Sequence, residues 1–197
     1  MDRRIRKLIA ALLAAVMLLS LAGCGEKKGV ENPQKVVLEL YAPSDSVLVV
    51  SNLTDRFTQQ NETIGIRVIY EDSAMLAALI EAGYYADVYI ADHAAHMDWL
   101  DAAAGEEANP NKNDKIDGST RKDIFKGTVE VPPDPTPEYD ENDNLIEKQP
   151  TYEERTFTVA LVKSSKYQEE AKAFIEFIED KEAVGPLFDG IDFEFID

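Results

Sequence analysis

The chain has 197 residues, and its 20 lysines and arginines against 38 aspartates and glutamates leave a formal charge of −18. That length suits one ordinary domain with a buried core, and so acidic a balance argues against nucleic acid and against an anionic lipid surface as partners. The lone cysteine, Cys24, leaves no pair for an internal disulfide.

The chain starts basic, with Arg3, Arg4, Arg6 and Lys7, and an apolar run follows over residues 8–22. The run closes in Leu21-Ala22-Gly23-Cys24. A positive start, a short apolar stretch and small residues before a break describe a secretory signal. A break just before a cysteine resembles the bacterial lipobox. That resemblance implies cleavage between Gly23 and Cys24, a lipid on Cys24, and a protein held outside the cell membrane by that anchor. Residues 1–23 are thus read as a lipoprotein signal peptide. Residues 24–34 are polar and aperiodic and are read as a tether. The competing reading is a spanning helix, which needs about 20 apolar residues, more than this run supplies.

Periodicity begins after Lys35. Val36, Val37, Leu38 and Leu40 form an apolar run that predicts a buried strand. Ser44, Asp45 and Ser46 offer N-caps for a helix in which Ser46, Val50, Leu53 and Phe57 recur at helical spacing. Ile66, Val68 and Tyr70 alternate as a second strand. Asp72 or Ser73 caps a second helix with Leu76, Leu79 and Ile80 inward, and Gly83 stops it. Residues 86–91 read as a third strand, and Met97, Leu100 and Ala104 suggest a third helix. Alternating elements of this length favour right-handed crossovers and a mostly parallel, doubly wound α/β sheet of four or five strands.

The pattern then breaks. Residues 101–150 hold six of the nine prolines, with thirteen acidic and six basic side chains. Residues 105–150 are read as an acidic, proline-rich insert, with short strands at 128–131 and a hairpin about Asn142-Asp143 as its local options. Order returns with Phe157, Val159, Leu161 and Val162 as a fourth strand. Ser164 or Ser165 caps a closing helix, with Gln168 completing a capping box. Tyr167, Ala171, Phe174, Ile175 and Ile178 form that helix's apolar stripe. Phe188, Ile191, Phe193 and Phe195 are expected to dock on the domain. Residues 35–104 and 151–197 together make the single α/β lobe.

Several of these pieces resemble periplasmic molybdate-binding proteins, the solute-binding subunits of ABC importers. Leu40-Tyr41-Ala42-Pro43-Ser44 resembles that family's first strand and serine turn. Asp72-Ser73-Ala74-Met75, then Ile80-Glu81-Ala82-Gly83, then Ala86-Asp87-Val88-Tyr89-Ile90, resembles its second signature and is the most specific match. Ala91-Asp92 with Met97-Asp98-Trp99-Leu100 resembles the segment after the third strand, and Ala171-Lys172-Ala173-Phe174 the closing helix. The resemblance implies the first lobe of a type II periplasmic-binding-protein fold. It also implies a molybdate or tungstate oxyanion held by neutral donors, and an ABC permease as partner. By that matching Ser44, Ser46 and Ser73 are the ligand-binding residues. Hydroxyls and backbone N–H groups at helix starts suit such an anion, and strand-to-helix turns put them at the carboxyl edge of the sheet. No segment matches the family's second lobe, so 105–150 is read as its replacement and no donors are assigned there. Asp72 beside Ser73 works against an anion.

Other patterns receive plainer readings. His93 and His96 stand three apart near Asp92 and Asp98, a spacing open to a metal, but they are read as exposed surface histidines. The oxygen-rich stretches 109–118 and 140–147 lack the glycine of a calcium loop and are read as turns. No nucleophile elbow, phosphate loop or cysteine–histidine pair occurs, so neither an enzyme nor a cofactor is expected. The alternative to oxyanion binding is a surface lipoprotein with a scaffold or interaction role and no small ligand.

Overall fold

The computed structural model describes residues 35–196. The signal peptide, the tether and Cys24 therefore lie outside the described residues. The first strand, β1 (Val36–Pro43), passes through a 3-10 turn (Ser44–Ser46) into α1 (Val47–Gln60). β2 (Ile64–Glu71) and α2 (Ser73–Glu81) follow, then β3 (Val88–Ala91) and α3 (Ala94–Leu100). A second 3-10 turn (Ala102–Ala104) leads to two long strands, β4 (Ile116–Val131) and β5 (Thr151–Val162). The chain ends in α4 (Gln168–Glu179), α5 (Lys181–Val184), a 3-10 turn (Gly185–Phe188) and the short β6 (Phe193–Phe195).

The strands form one sheet in the order β2-β1-β3-β5-β4-β6. β1 pairs in parallel with β2 and β3, as two strand–helix–strand crossovers require. β5 joins β3 antiparallel, β4 joins β5 antiparallel, and β6 covers the outer edge of β4. The α/β class and the double winding are those expected, with six strands in the described sheet rather than four or five.

Side-chain alternation explains the winding. Leu38, Leu40, Val88, Ile90, Val159 and Leu161 face one core with α1, α4 and α5. Their neighbours Tyr41, Tyr89, Ala91, Ala160 and Val162 face a second core with α2 and α3. Strands buried on both faces read as continuous apolar runs, which is how they stand out in the sequence. Phe57 of α1 meets Phe174 of α4 edge to face, with ring centroids 5.1 Å apart, and locks two helices of the first core. The C-terminal aromatics dock on this core too: Phe193 packs on Phe125 and Phe157, and Phe188 on Phe195.

The largest correction concerns residues 105–150. Residues 116–131 of that stretch are β4, a full member of the sheet. Its pairing with β5 shifts register between Asp117 and Lys122 and again between Asp123 and Phe125. Each irregularity resets which face a side chain meets, so Ile116, Ile124, Phe125 and Val129 are buried without a period of two. The hairpin about Asn142-Asp143 reduces to one bridge, Tyr139 with Leu145, turned by Asp143 at φ 60°.

Of three expected caps, the one at α2 is among those expected and two differ. Asp72 alone caps α2, accepting from the Met75 N–H at 3.0 Å. Ser46 precedes α1 without a side-chain cap bond, and its hydroxyl donates back to the Pro43 carbonyl at 2.7 Å. α4 has no capping box: Ser165 donates to Asp87 instead, and Gln168 reaches the Lys163 carbonyl. Tyr167, expected in the apolar stripe, lies outside α4 and is 37% exposed. The stop of α2 is as expected. Gly83 takes φ 92°, and the N–H groups of Gly83 and Tyr84 bond the carbonyls of Ile80 and Leu79.

Candidate functional site

Parallel strands with crossover helices send every strand-to-helix turn to one edge of the sheet. β1, β2 and β3 therefore deliver Ser44–Ser46, Asp72–Ser73 and Asp92–His93 to the same carboxyl edge. β5 runs the other way, so Arg155, near its start, also belongs to that edge.

The three serines differ in state. Ser44 is exposed. Ser46 is fully buried with its proton on the Pro43 carbonyl. Ser73 is 1% exposed and lies at the centre of a polar network. Its Oγ is 3.0 Å from the Tyr89 hydroxyl and 3.0 Å from His96 Nδ1, and it accepts from the Asp92 N–H at 3.4 Å. The Tyr89 proton goes to the Ser73 carbonyl at 2.8 Å. Ser73 therefore has one proton, for which the Tyr89 hydroxyl and, in the tautomer with Nδ1 unprotonated, His96 are internal acceptors. An external anion takes that proton only by displacing Tyr89 or His96. Burial, with the charges of Asp92 and Asp72, pushes the Tyr89 phenol well above its ordinary range against the opposing Ser73 contact, so it stays a neutral donor.

Asp92 extends the network across the sheet. It is 6% exposed, and its Oδ2 accepts from Arg155 Nη1. Its Oδ1 has no hydrogen-bond partner and faces His96 Nδ1 at 3.6 Å. Burial acts to raise the Asp92 carboxyl. Its contacts with His96, Arg155 and Ser73, with the Arg155 charge, outweigh it and hold the group down at about 2. Arg155 Nη1 is also 4.0 Å from Asp45, beside Ser44 and Ser46. The turns after β1, β2 and β3 are thus joined through Asp45, Arg155, Asp92 and Ser73.

Sequence reasoning missed four members of this network: Tyr89, Asp92, His96 and Arg155. His93 is exposed as expected, but His96 is a correction, being half-buried against Ser73. The four-residue spacing of Asp92 and His96 across the start of α3 was the available signal. Arg155 carried none, since it sits in a polar run distant in sequence. Serine, histidine and aspartate meet here, but one nitrogen, His96 Nδ1, faces both Ser73 and Asp92. A proton relay needs the two ring nitrogens to face different partners. Among the described residues no group of three histidine, cysteine, aspartate or glutamate side chains could hold a metal ion. The oxygen-rich stretch 109–118 closes on itself instead: Asn109 bonds the Asp101 and Asn113 carbonyls, and Asn113 bonds Glu81. A groove of about 510 Å³ lies elsewhere, between β4 and β6 around Lys126, Tyr152 and Phe193, apart from these serines and histidines. No helix among the described residues is long and apolar enough to cross a membrane.

No family model matches the chain, and no curated protein matches it in sequence. Solved structures do. A substrate-binding domain from Clostridium difficile assigned to a molybdenum ABC transporter aligns at TM-score 0.62 and 14% identity, over 83% of this chain and 100% of that one. The periplasmic molybdate-binding protein of Azotobacter vinelandii aligns at 0.55 and 10% identity, over 76% and 96%. Iron-bound HitA of Pseudomonas aeruginosa aligns at 0.52 and 13% identity, over 79% and 84%. Their ligands differ, so the likeness concerns architecture. The described residues have the α/β fold of periplasmic solute-binding proteins.

Proposed function

We propose that this chain is the extracytoplasmic solute-binding lipoprotein of an ABC importer, anchored through Cys24, with molybdate or tungstate as ligand. The observation that carries the reading is the convergence of three strand-to-helix turns, with Ser44, Ser46, Ser73 and the N–H groups of their helices, on one sheet edge. The motif resemblance and the architecture of the solved neighbours support it. The stretch 105–150 is read from the sequence as the replacement of the second lobe, and what remains of it outside the sheet between β4 and β5, residues 132–150, holds one isolated bridge. A single lobe leaves the far side of an anion in water, so binding is weak.

A thermal melt of the full chain in a mild non-ionic detergent, with and without millimolar molybdate, tungstate or sulfate, tests this. A ligand that binds only the native state adds about 2.7 kcal/mol at a hundredfold excess over Kd. The expected result is a rise with molybdate or tungstate that Ser73→Ala removes. A cooperative melt that no anion shifts refutes the reading. The internal engagement of Ser46 and Ser73 favours, in that event, a surface lipoprotein with a scaffold or interaction role.

A further inference from the structure

Arg155 stands apart from the other groups at this edge. Its guanidinium has five N–H donors, and Asp92 takes a single hydrogen bond from it. The other carboxylates near it stand off. Asp45 is 4.0 Å from Nη1 and Glu153 is 3.6 Å from Nη2, both beyond hydrogen-bond length. They are also open to water, at 45% and 58% exposure, whereas Asp92 is 6% exposed. One end of the guanidinium is therefore pinned by a buried carboxylate. The other end, on a side chain 26% exposed, makes no hydrogen bond among the described residues, and its Nη2 faces Glu153 across 3.6 Å.

A planar guanidinium fork recognises two oxygens of one anion at once, which a lysine cannot do. Pinning it in advance removes most of the ordering cost of such recognition. Ser44, the exposed serine of this edge, would add a hydroxyl to the shell around the same anion.

We infer that Arg155, oriented by Asp92, is the anion-gripping residue of this sheet edge and binds an oxyanion through two of its oxygens, with Asp45 and Glu153 as displaceable counter-carboxylates. This rests on reading that edge as an oxyanion site. Asp92 is a positioning residue. Asp45 and Glu153 set the affinity, because an arriving anion must push both aside against like charge. The ligand class is a tetrahedral oxyanion or a carboxylate.

The test uses the full chain in detergent and calorimetric titration with molybdate, phosphate, sulfate and acetate. Three variants are compared with the wild type: Arg155→Lys, the double variant Asp45→Asn/Glu153→Gln, and the triple combination. The double variant is expected to bind one of these anions at least tenfold more tightly than the wild type. Adding Arg155→Lys should remove at least tenfold of that affinity, while the ligand-free melt stays cooperative. Acetate alone as the ligand identifies the carboxylate class; molybdate, phosphate or sulfate identifies the tetrahedral one. Failure of the double variant to bind any of the four overturns the assignment, as does binding that Arg155→Lys leaves unchanged. A wild type that binds none, beside a double variant that binds through Arg155, supports the assignment and refutes the importer reading. Wild-type binding lost in Ser73→Ala but kept in Arg155→Lys does the reverse.

Discussion

Replacing Asp87 by alanine should be among the most damaging changes in this chain. The residue is fully buried at the start of β3, at the edge opposite the candidate site. Its carboxylate accepts from the Glu39 N–H at 2.7 Å, from the Ser165 hydroxyl at 2.6 Å and from the Tyr85 hydroxyl. It therefore ties β1, β3 and the turn before α4 together. Hydrogen bonds to a charged group contribute roughly 1.5–3 kcal/mol each, and a buried donor left alone costs about 1–3 kcal/mol. Asp87→Ala removes three such bonds and strands the Glu39 N–H. The two hydroxyls can rotate toward other acceptors, which brings the expected loss to about 4 kcal/mol. That is a large share of the roughly 5–15 kcal/mol that holds a domain folded. Asp87→Asn keeps one acceptor oxygen and should cost about half as much. Urea unfolding followed by the fluorescence of Trp99 measures both. A second readout is spectroscopic. Burial, and next the bond to Asp87, push the Tyr85 phenol up to about 12. Its phenolate absorbance should therefore appear at lower pH in the alanine variant. In a double-mutant cycle with Ser165→Ala, the coupling should be about 1 kcal/mol or more. A cost below about 1 kcal/mol for Asp87→Ala, with Tyr85 titrating unchanged, would refute the account.

Phe57→Ala should cost about 3–5 kcal/mol in the same urea assay, since the ring is 2% exposed and joins α1 to Phe174 and Phe177. Gly127→Ala should detach β6, because a Cβ there would stand 2.3 Å from a Phe193 ring carbon and 3.0 Å from the Asp192 carbonyl. Faster proteolysis of the C-terminal residues checks it. Asp92→Asn tests the ion pair by pH. The carboxyl is lowered to about 2 from an ordinary 3.8, so its stabilisation is present above the ordinary value and lost as pH falls through the folded one. The gap between wild type and variant should shrink by about 2 kcal/mol between pH 6 and pH 2. A gap independent of pH would mean that Asp92 is not held ionised by its contacts with His96, Arg155 and Ser73.

The oxyanion reading meets a physical difficulty that these variants bear on. The candidate edge is acidic: Asp45, Asp72, Asp92 and Glu153 lie around one arginine and two histidines. The net charge of −18 offers no steering toward an anion. Selection then rests on short-range donors alone. Much of that donor capacity is engaged internally at Ser46 and Ser73, and what stays open is on Arg155.

Local chemistry made much of the fold legible. The apolar runs of β1 and β3, the helical spacing of Val50, Leu53 and Phe57, and the Asp72 and Gly83 boundaries of α2 each follow from a few neighbouring residues. So does the order strand–helix–strand, which dictates parallel pairing and puts Ser44, Ser46 and Ser73 at one edge. Tertiary structure alone decided the rest. β4 alternates only from Phe125 onward; before that, irregular pairing changes which side chains turn inward, and only β5 defines the register. Ser46 and Ser165 are capping residues by type, yet their protons go to Pro43 and Asp87, acceptors set by how the strands pack. Arg155 meets Asp92 across 63 residues of chain because β5 returns antiparallel beside β3. A sequence encodes period, caps and turn signals within a few residues of where they act. A buried ion pair depends on which strand lies next to which, and that is known only once the sheet has closed.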